Sequence, residues 1–329
     1  MQYGYFDDDR REYVINRPDT PKSWSNYLGT TEYGAIITNN AGGYGFYKSG
    51  GMGRFIRMRF NSVPMDQPGR YVYLRDRDTG DYWSISWQPV GKPLEDFKSE
   101  CRHGMGYTII SSLYKDVEAE TTYFVPLGKL YEIWKVKVFN RGNTVRKLSA
   151  FTYLEYAANW NAMDDLLNIQ YTHYTAQMKV IEGIIDHGTN VSIPEMPKNF
   201  KEKDQGRHTF MAMVGVDVVG FETDRERFLG AYRTYANPIV VEQGKCSNFE
   251  AWGDNPCGTL QTDLELEPGE SRTFLVLVGI GKASVAGKQA INDFHDLAQA
   301  DRELERVKAY WYQRMEGMQI ETPDKEFDS

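Results

Sequence analysis

The strongest constraint on this chain is how often it must turn. From its start to about residue 280, runs rich in Tyr, Trp, Val, Ile and Thr alternate with short breaks bearing Gly, Pro, Asn or Asp. Tyr71-Val72-Tyr73-Leu74 and residues 82–87 flank an Asp/Gly-rich turn at 76–81, the pattern of a hairpin. Residues 121–125 and 131–139 flank Pro126-Leu127-Gly128. In the second run Glu132, Trp134, Val136 and Val138 share the more continuously apolar face. Asn140-Arg141-Gly142-Asn143 turns the chain again before residues 147–156, and residues 209–221 alternate once more. Leu264-Glu265-Leu266-Glu267, then Pro268-Gly269-Glu270, then residues 272–278 read as the clearest hairpin of all. Many strands at short spacing, with little helix between them, predict a mainly β fold: a large antiparallel sandwich. The Pro-, Lys- and Glu-rich stretch 192–206 reads as an exposed loop within it.

The texture changes near Gly281. Over 284–316 the apolar spacing becomes helical, with Ile291, Phe294, Leu297 and Ala298 on one face. Asp301 is placed to cap a second helix, in which Leu304, Val307, Trp311 and Met315 line up. Glu303 with Arg306 and Glu305 with Lys308 are surface pairs. The expected organisation is a β domain over 1–281, an α-helical linker over 282–316, and over 317–329 the start of a further domain. A stripe of this size is more than one sandwich face is expected to cover.

Composition narrows the function by exclusion. A net charge of −8 and a pI near 5.3 argue against a nucleic-acid surface, which needs a basic stripe. No apolar run is long enough to span a bilayer, and the acidic N-terminus is unlike a signal peptide. Cys101, Cys246 and Cys257 make no even framework, so a reduced, cytoplasmic protein is expected, with Cys246 and Cys257 unpaired though near in sequence. The 22 tyrosines and 7 tryptophans suit both strands and the apolar faces of sugars, and most are assigned to the core.

Complete catalytic motifs are missing: the sequence holds no GxSxG, HExxH, P-loop or paired CxxC. Histidines at 103, 173, 187, 208 and 295 lack metal-ligand spacing, so no metal is expected. The adjacent Asp164 and Asp165, and the run at 7–9, read as solvated loop acids. The glycine-rich stretch 41–54 is the most unusual segment. It reads as a hairpin turn or as a loop whose backbone approaches a ligand, with Arg54, Arg57 and Arg59 following. Tyr44, Tyr47 and Arg54 are its candidate substrate contacts.

Several long strings carry a family resemblance. YGYFDDDRREYVINRPDTPKSWSNYLG at the start and AGGYGFYKS at 41–49 resemble cellobiose and chitobiose phosphorylases of glycoside hydrolase family ninety-four. RYVYLRDRDTGDYWSISWQPV at 70–90 and DRERFLGAYRTYANPIVVEQGKCSN at 224–248 are most similar to the chitobiose branch, and ECRHGMGYT at 100–108 to the cellobiose branch. The resemblance implies a β-supersandwich, then linker helices, then an (α/α)6 barrel beyond this chain. It also implies a homodimer that cleaves a β-1,4 disaccharide with inorganic phosphate, inverting the anomeric centre to give an α-hexose 1-phosphate and a free sugar. No cofactor is implied beyond phosphate as co-substrate. The catalytic acid would lie in the barrel, so no catalytic residue is expected in this chain. The family's acceptor-subsite loop, which reaches the partner, matches Asn168-Ile169-Gln170-Tyr171. Gln170 is kept and Tyr171 replaces an arginine, which leaves cellobiose, N,N'-diacetylchitobiose and cellobionate open. A freestanding carbohydrate-binding sandwich and a phosphorylase of longer glucans are the other expectations.

Overall fold

Strands dominate the computed structural model, which describes residues 2–59, 64–157, 160–162, 176–189, 207–317 and 322–323. In chain order they are β1 (Gly4–Asp7), β2 (Glu12–Ile15), β3 (Ser25–Gly29), β4 (Tyr33–Thr38), β5 (Gly43–Tyr47) and β6 (Arg54–Ile56). Next come β7 (Tyr71–Asp76), β8 (Tyr82–Ser84), β9 (Phe97–Gly104), β10 (Tyr107–Tyr114), β11 (Val117–Phe124), β12 (Tyr131–Asn140) and β13 (Arg146–Glu155). The last six are β14 (Ala176–Ile181), β15 (Ile184–Thr189), β16 (Arg207–Val214), β17 (Gly220–Asp224), β18 (Pro256–Leu266) and β19 (Ser271–Ile280).

They form three antiparallel sheets. A ten-stranded sheet has the order β1-β2-β9-β10-β11-β12-β19-β16-β15-β14; a five-stranded sheet runs β17-β18-β13-β7-β8; a four-stranded sheet runs β3-β4-β5-β6. One core joins the inner face of the large sheet (Ile110, Val136, Val138, Val276) to Leu74, Ala150 and Leu154 of the five-stranded sheet and to Tyr33, Ala35 and Ile37 of the four-stranded one. This is the expected antiparallel sandwich, here of the supersandwich kind. Each large apolar side chain so buried is worth about 1.5–3 kcal/mol.

The apolar face of β12 contains one charge. Glu132 is 1% exposed and faces Arg70, which is fully buried. Arg70 donates from Nε at 2.5 Å and Nη2 at 3.0 Å, Trp134 Nε1 at 2.7 Å and the Tyr33 hydroxyl at 3.0 Å. A buried carboxylate is tolerable when every acceptor position is used. Here the bonds tie β12 of the large sheet to β4 and to the residue just before β7 in the smaller ones.

Two expectations about strands are corrected. The run 209–221 is not one strand. Gly215, at φ 89°, breaks it, so β16 enters the large sheet and β17 the five-stranded sheet. The segments around Pro268-Gly269-Glu270 are not a hairpin. β18 pairs with β13 and β17, β19 with β12 and β16, and the turn is an arch between layers. The turn after β12 crosses between the same layers beside it. Asn140, fully buried, locks the two together: its amide donates to the carbonyls of Thr144 and Leu266, and its backbone bonds Gly269 and Glu270.

Among the described residues the helices are α1 (Arg225–Leu229), α2 (Ile239–Gln243), a π-helical turn (Ala283–Gly287), α3 (Lys288–Asp293) and α4 (Ala298–Met315). The apolar stripe falls where the spacing places it, and the sheet covers it. Phe294, Leu304 and Val307 are buried against Tyr131, Ile133, Phe210, Leu275 and Leu277 on the outer face of the large sheet, with Ile291, Leu297 and Trp311 packed beside them. Ala298 and Met315 of the stripe stay exposed. The stripe expected to exceed one sandwich face thus docks on the outer face of the large sheet, which leaves Met315 at its end uncovered; residues one apart on β12 and β19 present apolar side chains to both layers. Asp301 is not a cap either. It lies inside the first turn of α4, paired with Lys135, while the Asp296 side chain accepts from the Ala298 amide at 3.0 Å.

Candidate functional site

The glycine-rich stretch is the hairpin β5–β6, and alternation divides its side chains. Tyr44 and Phe46 face outward; Gly43, Gly45 and Tyr47 face the core. Arg54 stacks its guanidinium 3.8 Å from the Tyr44 ring centroid and donates to the Gly50 carbonyl at 3.0 Å. Tyr44 and Arg54 thus share a surface. Tyr47, three residues from Tyr44, packs against the core on the other face under Lys48. The three candidate contacts do not converge on one ligand position. Gln170, Tyr171, Asp164 and Asp165 lie outside the described residues.

The hairpin leads into a denser constellation. β6 runs beside the end of β13, with the Arg57 amide bonded to the Glu155 carbonyl and the Ala157 amide to the Phe55 carbonyl. This register places the Glu155 side chain, fully buried, among Arg57, Arg59 and Arg225. One carboxylate oxygen accepts from Arg225 Nε at 2.9 Å, the Tyr235 hydroxyl at 2.6 Å and the Tyr153 hydroxyl at 2.9 Å. The other accepts from Arg59 Nη2 at 2.8 Å and Nε at 3.1 Å. Burial alone would raise the pKa of this carboxyl; Arg59, then Arg225 and Arg57, overcome it and hold the pKa down at about 2. Glu155 is therefore an ionised acceptor at neutral pH and cannot deliver a proton to a leaving group. It fixes β6, β13 and the start of α1 at one end of the sandwich.

Other ionisable groups are similarly enclosed. Burial raises the pKa of Glu222, whose carboxylate accepts from the Ser247 hydroxyl and amide and from the Thr223 amide. Burial holds the His103 imidazole down at about 4, between Thr108 and the Trp24 carbonyl, and that of His187 at about 3, stacked 4.6 Å from Tyr156. The three cysteines are buried and free; Cys246 bonds through its amide to Gln261, whereas Cys257 lies four positions earlier on β18, opposite Glu155. Among the described residues no group of three or more His, Cys, Asp or Glu is placed to hold a metal ion. A depression of about 570 Å³ lies between β16–β17 and β18–β19, lined by Asp217, Asp263, Glu265 and Arg272. Its Asp263 is already bonded to Ser149 and Arg77.

The Glu155 cluster was missed in the sequence, although a signal existed: a lone carboxylate in the aromatic strand Phe151-Thr152-Tyr153-Leu154-Glu155-Tyr156 must find cations if it is buried.

Comparison with known proteins follows the same lines. Residues 11–297 match the family described as "Glycosyl hydrolase 94, supersandwich domain". All 329 residues align with an N,N'-diacetylchitobiose phosphorylase of Vibrio proteolyticus at 39% identity, and with one of Vibrio furnissii at 38%. The chain spans 39% of the length of each of these relatives. A bacterial glucoamylase solved with acarbose shares the fold over 91% of this chain and 40% of its own, with a TM-score of 0.51 at 8% identity.

Proposed function

Because the chain belongs to the glycosyl hydrolase 94 supersandwich-domain family, we propose that it is the first part of a longer inverting disaccharide phosphorylase acting on N,N'-diacetylchitobiose. The observation that carries this reading is the 39% identity to a relative of that activity over every residue of the chain. In the proposed reaction an oxygen of inorganic phosphate attacks the anomeric carbon. The bond to the leaving sugar oxygen breaks, and a general acid protonates that oxygen. The products are N-acetylglucosamine α-1-phosphate and free N-acetylglucosamine. Glu155 is unsuited to be the acid, so this reading puts the acid, the phosphate site and any cofactor-free chemistry outside the described residues. Gln170 and Tyr171 are assigned to the acceptor subsite of a partner subunit in a cytoplasmic homodimer. Cellobiose and cellobionate are the competing substrates.

The experiment compares the 329-residue chain with the longest polypeptide its gene encodes. Phosphate-dependent release of the sugar 1-phosphate from N,N'-diacetylchitobiose is expected from the long form only. Activity of the 329-residue chain, or a long form that prefers cellobiose or cellobionate, refutes the corresponding part of the proposal. A second reading, a carbohydrate-binding sandwich without catalysis, draws support from the covered helical stripe, since the sheet and its helices complete one another. Saturable binding of chitooligosaccharides by a gene product ending at Ser329 would favour it.

A further inference from the structure

We propose that the outward face of β14 and the segment beside it form a carbohydrate-binding site, with Trp252 as the platform for one pyranose ring. The site follows from the sheet geometry; only the choice of N-acetylglucosamine chains as its ligand rests on the functional reading above. Residues 248–253 run between the edges of two sheets. The Phe249 carbonyl accepts from the Thr223 hydroxyl of β17 at 2.7 Å, and the Ala251 amide donates to that hydroxyl at 2.8 Å. On the other side the Met178 amide donates to the Ala251 carbonyl at 2.9 Å and the Gly253 amide to the Ala176 carbonyl at 2.8 Å. These last two bonds bracket Trp252, which stands directly opposite Gln177 of β14. The backbone is thus pinned, with Ala251 turned into the core at 2% exposure and Trp252 turned outward at 73%.

Residues directly opposite one another on paired strands share a face, so the row through Trp252 follows from the register: Gln177 pairs with Gly188, and Gly188 with His208. Met178 faces the core, which leaves Gln177 and Lys179 on the outward side with Trp252. Gly188 has no side chain, and His208 leans over it, its Cε1 3.1 Å from where a Cβ would stand. The row therefore carries an indole at one end, an imidazole at the other and a low stretch between them. Among the described residues no cation or ring stacks on Trp252, and neither the Gln177 amide nor the Lys179 ammonium has a hydrogen-bond or ion-pair partner. Tyr44 and Phe249 differ in this respect, since Arg54 and Arg227 cover them, each at 3.8 Å. An uncovered aromatic face flanked by hydrogen-bonding groups suits a pyranose, whose C–H face stacks on the ring while its hydroxyls reach the amide and the ammonium. Adjacent strands are about 4.8 Å apart, which puts Gln177 within reach of a sugar held on Trp252. The pinned backbone and the two-torsion indole lose little freedom on binding. A protein partner fits less well, because the row holds one large apolar group among polar ones, whereas the core of an interface is apolar.

Calorimetric titration of the 329-residue chain with N,N',N''-triacetylchitotriose, without phosphate, tests this. Saturable binding at about millimolar concentration is expected, weakened about tenfold or more in Trp252→Ala and less in Gln177→Ala. Trp252→Phe is expected to keep most of the affinity. Tyr27→Ala, which removes a ring 69% exposed on the four-stranded sheet, is expected to keep all of it. The melting temperature of Trp252→Ala should match that of the unchanged chain, since so exposed a side chain contributes little to the core. No saturation up to about 20 mM overturns the proposal. So does binding that Trp252→Ala leaves intact, or an equal loss in Tyr27→Ala. Cellotriose in a second titration decides the sugar: binding of cellotriose alone, through Trp252, keeps the site and removes N-acetylglucosamine chains as its ligand. Phosphorolysis of N,N'-diacetylchitobiose by the longest polypeptide of the gene is assayed in parallel. Trp252-dependent binding without phosphorolysis sinks the functional reading and leaves the site standing; phosphorolysis without such binding does the reverse.

Discussion

Replacing Glu155 by Gln removes one negative charge from among three guanidinium groups and leaves the side chain nearly the same size. The wild-type carboxyl has a pKa of about 2 in the folded chain against 4.5 for an ordinary glutamate. At about 1.36 kcal/mol per pH unit, that gap corresponds to about 3 kcal/mol of folding free energy. Direct loss of one partner from a buried ion pair costs about 3–5 kcal/mol, a consistent figure. Because the folded pKa is depressed, the contribution is fully present above pH 4.5 and is lost as the pH falls toward 2. Urea unfolding of the 329-residue chain, followed by tryptophan fluorescence at pH 7, 5 and 3, measures both effects. Glu155→Gln is expected to be about 3 kcal/mol less stable at pH 7. The difference from wild type should shrink by about 2 kcal/mol between pH 7 and pH 3, as the wild-type carboxylate loses its advantage. A variant within about 1 kcal/mol of wild type at pH 7, or a difference that does not change with pH, would refute the view that this cluster is held by an ionised carboxylate.

Three further outcomes follow from the packing. Phe294→Ala should cost about 3–5 kcal/mol in the same unfolding assay, since the ring is buried on the large sheet; a loss confined to frayed helix ends, with the sheet unaffected, would show that α3 and α4 are not part of its core. Glu132→Ala should cost about 3–5 kcal/mol by stranding Arg70, whereas adding Arg70→Leu should recover part of that loss; strictly additive losses would mean the pair is not coupled. Burial keeps His103 neutral, with its pKa down at about 4 against 6.5, so the unfolded chain takes up a proton that the native one refuses and stability falls as the pH drops below 6.5. His103→Gln should flatten that part of the profile, and an unchanged slope between pH 6.5 and 4 would exclude this origin.

The strands were legible because a half-buried sheet writes its two-residue period into the chain, as residues 131–139 do. The layer to which each strand belongs was not. Pro268-Gly269-Glu270 reverses the chain, and a reversal looks the same whether the next strand lies alongside in one sheet or across the core in the other. The linker stripe was equally plain, but periodicity names a buried face without naming what buries it. For the site, simple parity would have separated Tyr44 from Tyr47, because positions three apart on a strand point to opposite faces. The Glu155 cluster needed more. Its cations come from the segment just after β6 and from the first residue of α1, and only the fold brings these together around one oxygen pair.

The place of β19 bears on how this chain reaches its native state. It lies between β12 and β16, pairing Tyr131 with Gly279 and Ile280 with Thr209. Until the ribosome has delivered residues 271–280, the large sheet exists only as two pieces, β1 through β12 on one side and β14 through β16 on the other, each with an unpaired edge. Such edges are templates for pairing with other chains. Contacts this distant in sequence also slow the closing step. The nascent chain must therefore keep those edges apart from its neighbours until one late strand slides between them.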